Sequence, residues 1–202
     1  MIWYLSVTEI IVLSIPLIQI DIENDVRSGD VVYQLLKPIN YLWLKIAESV
    51  GAFLFRFGIL ILIAIPFCAY LSGVIPPLSV LCSAYVMAAL AGIVFILFQT
   101  TIGLLAFKLQ DTTPIFWLWQ RSSFLLGGLV IPLDFYPSIL KVFAYLTPFA
   151  SLLFAPARLV LEFSVENLLI AFAGLLFWAI VAILLAERLY VRMLKALKVN
   201  GG

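Results

Sequence analysis

Apolar residues come in membrane-length runs along this chain, and polar residues come in short bursts between them. Residues 1–20, 49–71, 79–107, 115–131 and 167–187 are each almost wholly apolar. A helix needs ~20 such residues to cross ~30 Å of hydrocarbon, because each residue rises ~1.5 Å. The longest polar interval, residues 21–48, carries Asp21, Glu23, Asp25, Arg27, Asp30, Lys37, Lys45 and Glu48. Such a segment belongs in water or at the membrane interface. Ser72 to Ser79 is a short turn in which Pro76 and Pro77 stop helical continuation. Lys108 to Pro114 is a second turn, with Asp111 or Thr112 as helix cap and Pro114 at an early helical position. Residues 132–166 are interrupted by Pro132, Pro137, Pro148 and Pro156. Two short helices, 138–146 around Lys141 and 149–161, suit a re-entrant or interfacial hairpin on the outer side. Residues 188–202 form a basic tail with Arg188, Arg192, Lys195 and Lys198.

The pattern specifies an all-α, polytopic helical membrane protein forming one domain over residues 1–202: about five spans, the outer hairpin and a surface helix within 21–48. Inside that interval Ile18, Ile22 and Val26 recur at i, i+4, i+8 and extend the first helix beyond the membrane surface. Gly29 offers a helix end and Asp30 a fresh N-cap. Val32, Leu35 and Leu36 form one face of a short crosspiece, with Lys37 in its last turn. Pro38 stops it, and Asn40 caps the helix leading into the second span. A crosspiece along the surface can dock into a groove on a soluble protein.

Composition narrows the class. Of 202 residues, 65% are hydrophobic and 11% charged, with a mean hydropathy of +1.19; a soluble domain would hold roughly a quarter charged residues. The net charge of +1 argues against nucleic acid as a partner. The absence of histidine removes the commonest general base and metal ligand, and no catalytic or metal-ligating set is expected. Placing residues 21–48 in the cytoplasm puts ten of the 12 basic residues inside and leaves only Lys141 and Arg158 outside, which fixes the orientation. Arg56 and Arg121, slightly inside their spans, snorkel outward. Five spans with the C-terminus inside leave Met1 outside, so the first span is either a reverse anchor or the second helix of a plan whose initial helix this chain lacks; the latter is expected. Cys68 and Cys82 are read as two small buried side chains ahead of a disulfide.

Several side chains invite sharper readings. Glu9, inside the first span, is a pathway or subunit-interface carboxylate, or one satisfied by Ser6, Thr8 or an absent helix. Gln99, Thr100 and Thr101 form a polar patch midway along the third run; bonding across helices is favoured, with Gln99 and Thr100 kept beside Glu9 as candidate translocation-path residues. Trp43, Trp117 and Trp119 read as an inner aromatic belt, and Gly51, Gly58, Gly92 and Gly103 as close helix approaches. Asp134, Glu162 and Glu166 are outer carboxylates without spacing to a nucleophile. An intramembrane enzyme acting on lipid-linked substrates is therefore the competing class, alongside a non-transporting accessory subunit.

Two sets of motifs carry a resemblance. Glu23-x3-Arg27-Ser28-Gly29-Asp30 followed by Leu35-Leu36-Lys37-Pro38-Ile39 is similar to the cytoplasmic signature of type-2 ABC exporter permeases. Gly127-Gly128, Ile131-Pro132-Leu133, Pro137, Thr147-Pro148-Phe149 and Pro156-Ala157-Arg158 resemble the same family's outer re-entrant segment. Together they cover about residues 10 to 198, closest to the bacterial "family transporter protein" subgroup, whose six-span plan this chain would join at the second span. The resemblance implies an exporter permease in a bacterial plasma membrane, the inner one where there are two. It implies a coupling helix made by Glu23, Arg27, Gly29, Asp30, Val32, Leu35, Leu36, Lys37 and Pro38, a separate ABC ATPase subunit as partner, and a second permease copy or paralogue. No G-x-x-x-x-G-K-[ST] segment occurs, so no cofactor is expected on this chain and ATP belongs to the partner. The apolar spans favour a hydrophobic or amphipathic cargo.

Overall fold

The computed structural model describes the backbone of residues 1–109, 111–129 and 131–200, with side chains within these as far as Lys195. Helix follows wherever the apolar runs lie, because backbone groups without water must bond within their own segment. The first run is not one rod. α1 (Ile2–Ser14) ends ahead of Pro16, and α2 (Ile18–Ser28) begins just past it. Proline lacks a donor and forces its predecessor out of the helical region; Ile15 is extended, with φ −70° and ψ 123°. Together the two pieces form the 27-residue unit Ile2–Ser28. Gly29, left-handed at φ 82°, then turns the chain into α3 (Asp30–Leu35).

α4 (Tyr41–Ser72), α5 (Leu78–Leu104) with its short continuation α6 (Ala106–Leu109), and α10 (Val165–Asn200) are the other units long and apolar enough to cross a membrane. Between them lie α7 (Thr113–Leu126), a 3-10 turn at Leu133–Phe135, α8 (Ser138–Leu146) and a π-helical turn Ala150–Phe154 that runs into α9 (Ala155–Leu161). Among the described residues there is no strand. The segments 138–146 and 150–161 meet at a bend of 88°. The two short helices expected within residues 132–166 are thus present.

α5 is the hub. It packs against α1, α2, α4, α9 and α10, and 67% of its apolar window is buried, against 17% for α4 and for α10. Two glycines make this packing tight. A Cβ on Gly92 would fall 2.1 Å from Phe53 Cζ of α4, and one on Gly103 would fall 2.9 Å from Gln19 Cα of α2. Gly51 and Gly58, expected to do the same, have nothing within 4 Å; they lie on the outward side of α4.

Three further expectations change. α7 has 14 residues instead of the 17 of the expected run 115–131, a rise of only about 21 Å. Its two ends nevertheless reach opposite ends of the α1–α2 pair: Thr112 bonds Glu23, while Tyr4 Oη donates to Gly128 O and Thr8 Oγ1 to Leu129 O. The C-terminal run does not stop at residue 187. α10 continues as one 36-residue helix carrying Arg188, Arg192 and Lys195, built of residues with good helix propensity; the side chain of Lys198 lies outside the described residues. Trp119 is no belt residue. It stacks on Phe98 (5.0 Å between centroids) and meets Phe149 (4.6 Å) in the core, whereas Trp43 and Trp117 are exposed. Both cysteines are free, Cys68 buried and Cys82 exposed.

Candidate functional site

The segment 21–48 is held in shape by one carboxylate. Asp25 Oδ2, on α2, accepts from Lys45 Nζ at 2.8 Å, Tyr41 Oη at 2.9 Å and Gln34 Nε2 at 3.1 Å. These partners come from α4 and α3, so a single oxygen ties together three helices. The Asp25 and Lys45 side chains are 15% and 14% exposed. At that burial an ion pair gains strength but leaves a costly charge if one partner is lost. Lys45 Nζ also lies 3.9 Å from Glu48 Oε2. Tyr41 is fully buried. Asn40 caps α4 as its residue type demands, its Oδ1 accepting from Leu42 N at 3.0 Å.

A second junction joins this segment to the turn before α7. Glu23 Oε2 accepts from Thr112 N at 2.9 Å and Thr112 Oγ1 at 2.6 Å, and Glu23 Oε1 pairs with Arg27 Nη2 at 2.8 Å. Glu23 is 7% exposed and Thr112 1%. Beside it the exposed Asp111 accepts from the Thr113 backbone N–H, which holds its carboxyl below the usual carboxylate range. Neither Asp111 nor Thr112 caps α7 by the simple route; Thr112 spends its hydroxyl on Glu23.

The residues assigned to coupling therefore divide. Glu23 faces inward and cannot itself meet a partner. Arg27 leans over it, half-exposed. Gly29 makes the left-handed turn, and Asp30, expected as N-cap, is the first helical residue, its Oδ2 accepting from Ser28 Oγ at 2.8 Å. The face is rotated from the expected one. Val31 is buried and Leu35 packs partly against the core, while Val32, Tyr33, Leu36 and Ile39 point out, 54%, 72%, 79% and 55% exposed. Lys37 lies beyond the helix rather than in its last turn, because Pro38 ends it at Leu35. Sequence reasoning missed Asp25, Gln34 and Tyr41; the only signal was the excess of acids ahead of a tyrosine and lysine.

The candidate path residues do not converge. Glu9 lines a groove of about 470 Å³ between α1 and α4 with Leu5, Leu13, Leu60, Ile63 and Phe67. Ser6 bonds Tyr85 Oη, and Thr8 donates to Tyr4, Leu5 and Leu129 carbonyls, so neither hydroxyl satisfies it. Thr100 and Thr101 donate to Ile96 O and Leu97 O of their own helix and do not bond across to another. Gln99 is 4% exposed and its Oε1 has no hydrogen-bond partner. Of the outer carboxylates, Asp134 pairs with Lys141 at 3.4 Å and Glu162 with Arg158 at 3.0 Å.

A family model described as ABC-2 family transporter protein matches residues 3–201. No curated protein and no solved structure matches the chain. The family match spans both motif sets and every helix described above, so the chain belongs to the ABC-2 transporter family and is a membrane permease component of an ABC transporter.

Proposed function

We propose that this permease is the membrane half of an exporter driven by a separate ABC ATPase subunit, which docks on the crosspiece α3. The observation that carries the reading is the ridge Val32, Tyr33, Leu36 and Ile39, four apolar side chains each more than half exposed on an otherwise polar segment. An apolar ridge beside water suits a protein groove. Asp25 and Glu23 supply what a coupling element needs behind it, since they fix α3 to α2 and α4 and the adjoining turn to α7. The charge distribution supports a cytoplasmic location for this ridge, with ten of the 12 basic residues on its side. Beyond the four long apolar units, that topology takes the 14-residue α7 as a fifth crossing and the 88° bent pair as a dip from outside. The membrane is the bacterial plasma membrane, a second permease copy or a paralogue completes the pathway, and the cargo is hydrophobic or amphipathic.

The test is co-purification with an ABC ATPase from native membranes, the partner identified by its nucleotide-binding motif, followed by ATP-dependent flux in vesicles. Tyr33→Asp with Leu36→Asp is expected to abolish the association without changing the melting temperature. Undiminished ATPase association in that double variant refutes the docking surface. Association without ATP-dependent flux would make the chain an accessory subunit.

A further inference from the structure

A cavity of about 280 Å³ lies between α2 and α7, lined by Leu17, Gln19, Ile20, Thr112, Phe116 and Trp117 among others. Apolar and aromatic side chains line it beside the polar Glu23, Thr112, Thr113 and Gln120, and one buried polar side chain among them has no answer. Gln19 is 1% exposed, and neither its Nε2 nor its Oε1 has a hydrogen-bond partner. A primary amide with both donor and acceptor idle is among the costlier things to bury, and folded chains almost always answer such groups with a partner. Gln19 is not there for want of room to turn away: its Cα sits against Gly103 of α5, so its backbone is held in place. A smaller cavity of about 40 Å³ adjoins, sharing Leu17, Phe116 and Gln120, and is lined by Gln99 and Trp119. There Gln99 Oε1 and Trp119 Nε1 are also without partners. One donor and one acceptor around so small a space are what a single ordered water bridges. The larger cavity asks for more than water.

The charges nearby are spent. Glu23, at the edge of the larger cavity, is neutralised by Arg27 and takes two further donors from Thr112. An ionic head group would find no counter-charge there. A neutral carboxamide offers the complement of Gln19, one N–H and one C=O in a plane. Leu17, Ile20 and Trp117 are 49%, 43% and 49% exposed, so an attached apolar chain can leave across them toward the membrane. We infer that the α2–α7 cavity binds the head of a neutral, carboxamide-bearing amphipath, with Gln19 pairing its amide and Leu17, Ile20 and Trp117 taking its chain. Calling that ligand cargo rests on the permease reading; its binding does not.

The probe is N-methyl dodecanamide brominated on its chain, titrated against the purified full-length permease in maltoside micelles and read as quenching of Trp117 fluorescence, with Trp117→Phe as the blank. Equally brominated methyl dodecanoate, which lacks the N–H, and dodecanol are the comparison ligands. The amide is expected to quench saturably and at least about tenfold more tightly than either, in keeping with the extra paired bond. Gln19→Leu should weaken the amide by about tenfold or more while melting no lower than the parent, since it removes an unpaired buried amide. Gln19→Met serves if Gln19→Leu does not fold. Equal affinity for ester or alcohol, unchanged amide affinity in a folded Gln19 variant, or no saturable quenching each overturns the site. Neither ATPase nor ATP enters this assay, so its failure leaves docking at α3 standing, and failure of docking leaves this binding standing.

Discussion

Removing the Asp25 carboxylate should loosen the crosspiece more than any surface substitution in the segment. Asp25→Ala deletes three acceptor contacts at 2.8, 2.9 and 3.1 Å and leaves the Lys45 ammonium, 14% exposed, with Glu48 at 3.9 Å and the Tyr41 ring at 5.8 Å. Breaking a fully buried ion pair from one side costs roughly 3–5 kcal/mol. The partial exposure here and the remaining Glu48 reduce that to about 2–4 kcal/mol. For a chain of this size each kcal/mol lowers the melting temperature by about 2–4 °C, so a fall of about 4–16 °C is expected. Lys45→Met in the same background removes the stranded charge, and the double variant should recover at least about 1 kcal/mol relative to additivity. Thermal unfolding in detergent gives the three differences, and hydrogen exchange at residues 30–36 locates the loss, since α5 amides should stay protected. A single-variant change below about 1 kcal/mol, or a double variant additive to within about 0.5 kcal/mol, would refute the claim that this carboxylate holds the segment together.

Two other perturbations follow from the same geometry. Gly103→Leu places a branched side chain where even a Cβ comes 2.9 Å from the Gln19 backbone, so folded yield should collapse, whereas Gly51→Ala and Gly58→Ala, with nothing within 4 Å, should be neutral or raise stability by up to about 1 kcal/mol on helix propensity alone; size-exclusion profiles and melting curves separate the two outcomes. Thr112→Val removes the 2.6 Å hydroxyl donor to Glu23 while keeping shape and the 2.9 Å N–H bond, and should cost about 1.5–3 kcal/mol by the usual value for a hydrogen bond to a charged group; no change in unfolding free energy would mean the junction adds nothing.

What the sequence disclosed was mostly punctuation. Gly29, Pro38 and Asn40 act through their own backbones, so a left-handed turn, a stop and a cap could be named from residue type alone. The phase of α3 could not. Val31 with Leu35 and Val32 with Leu36 are both apolar i, i+4 pairs, and a six-residue helix is too short for periodicity to choose between them. Burial chose the first pair. Long-range partners were equally hidden. Glu23 and Thr112 are 89 residues apart, and nothing local in either marks the other. Trp119 looked like a membrane-surface tryptophan because it lies between Trp117 and Arg121; only the aromatic partners supplied by α5 and Phe149 place it inside. The inner break was signalled by Pro16, yet a run of apolar residues on both sides read as continuous.

That break changes what the first membrane helix can transmit. A continuous 27-residue rod pushed at one end would tilt at the other as well. With three non-helical residues at 15–17, the unit is two short helices joined at a break. α1 is fastened at Tyr4 and Thr8 to the turn after α7, and α2 at Glu23 to the turn before α7 and at Asp25 to α3 and α4. On the docking proposed for α3, a stroke would act on α2, and the break at 15–17 separates α2 from the bonds that hold α1. Leu17 is also, with Phe116 and Gln120, shared by the two cavities beside α7. The break and one wall of the chamber thus share a side chain, so any movement of α2 at that break would alter the chamber.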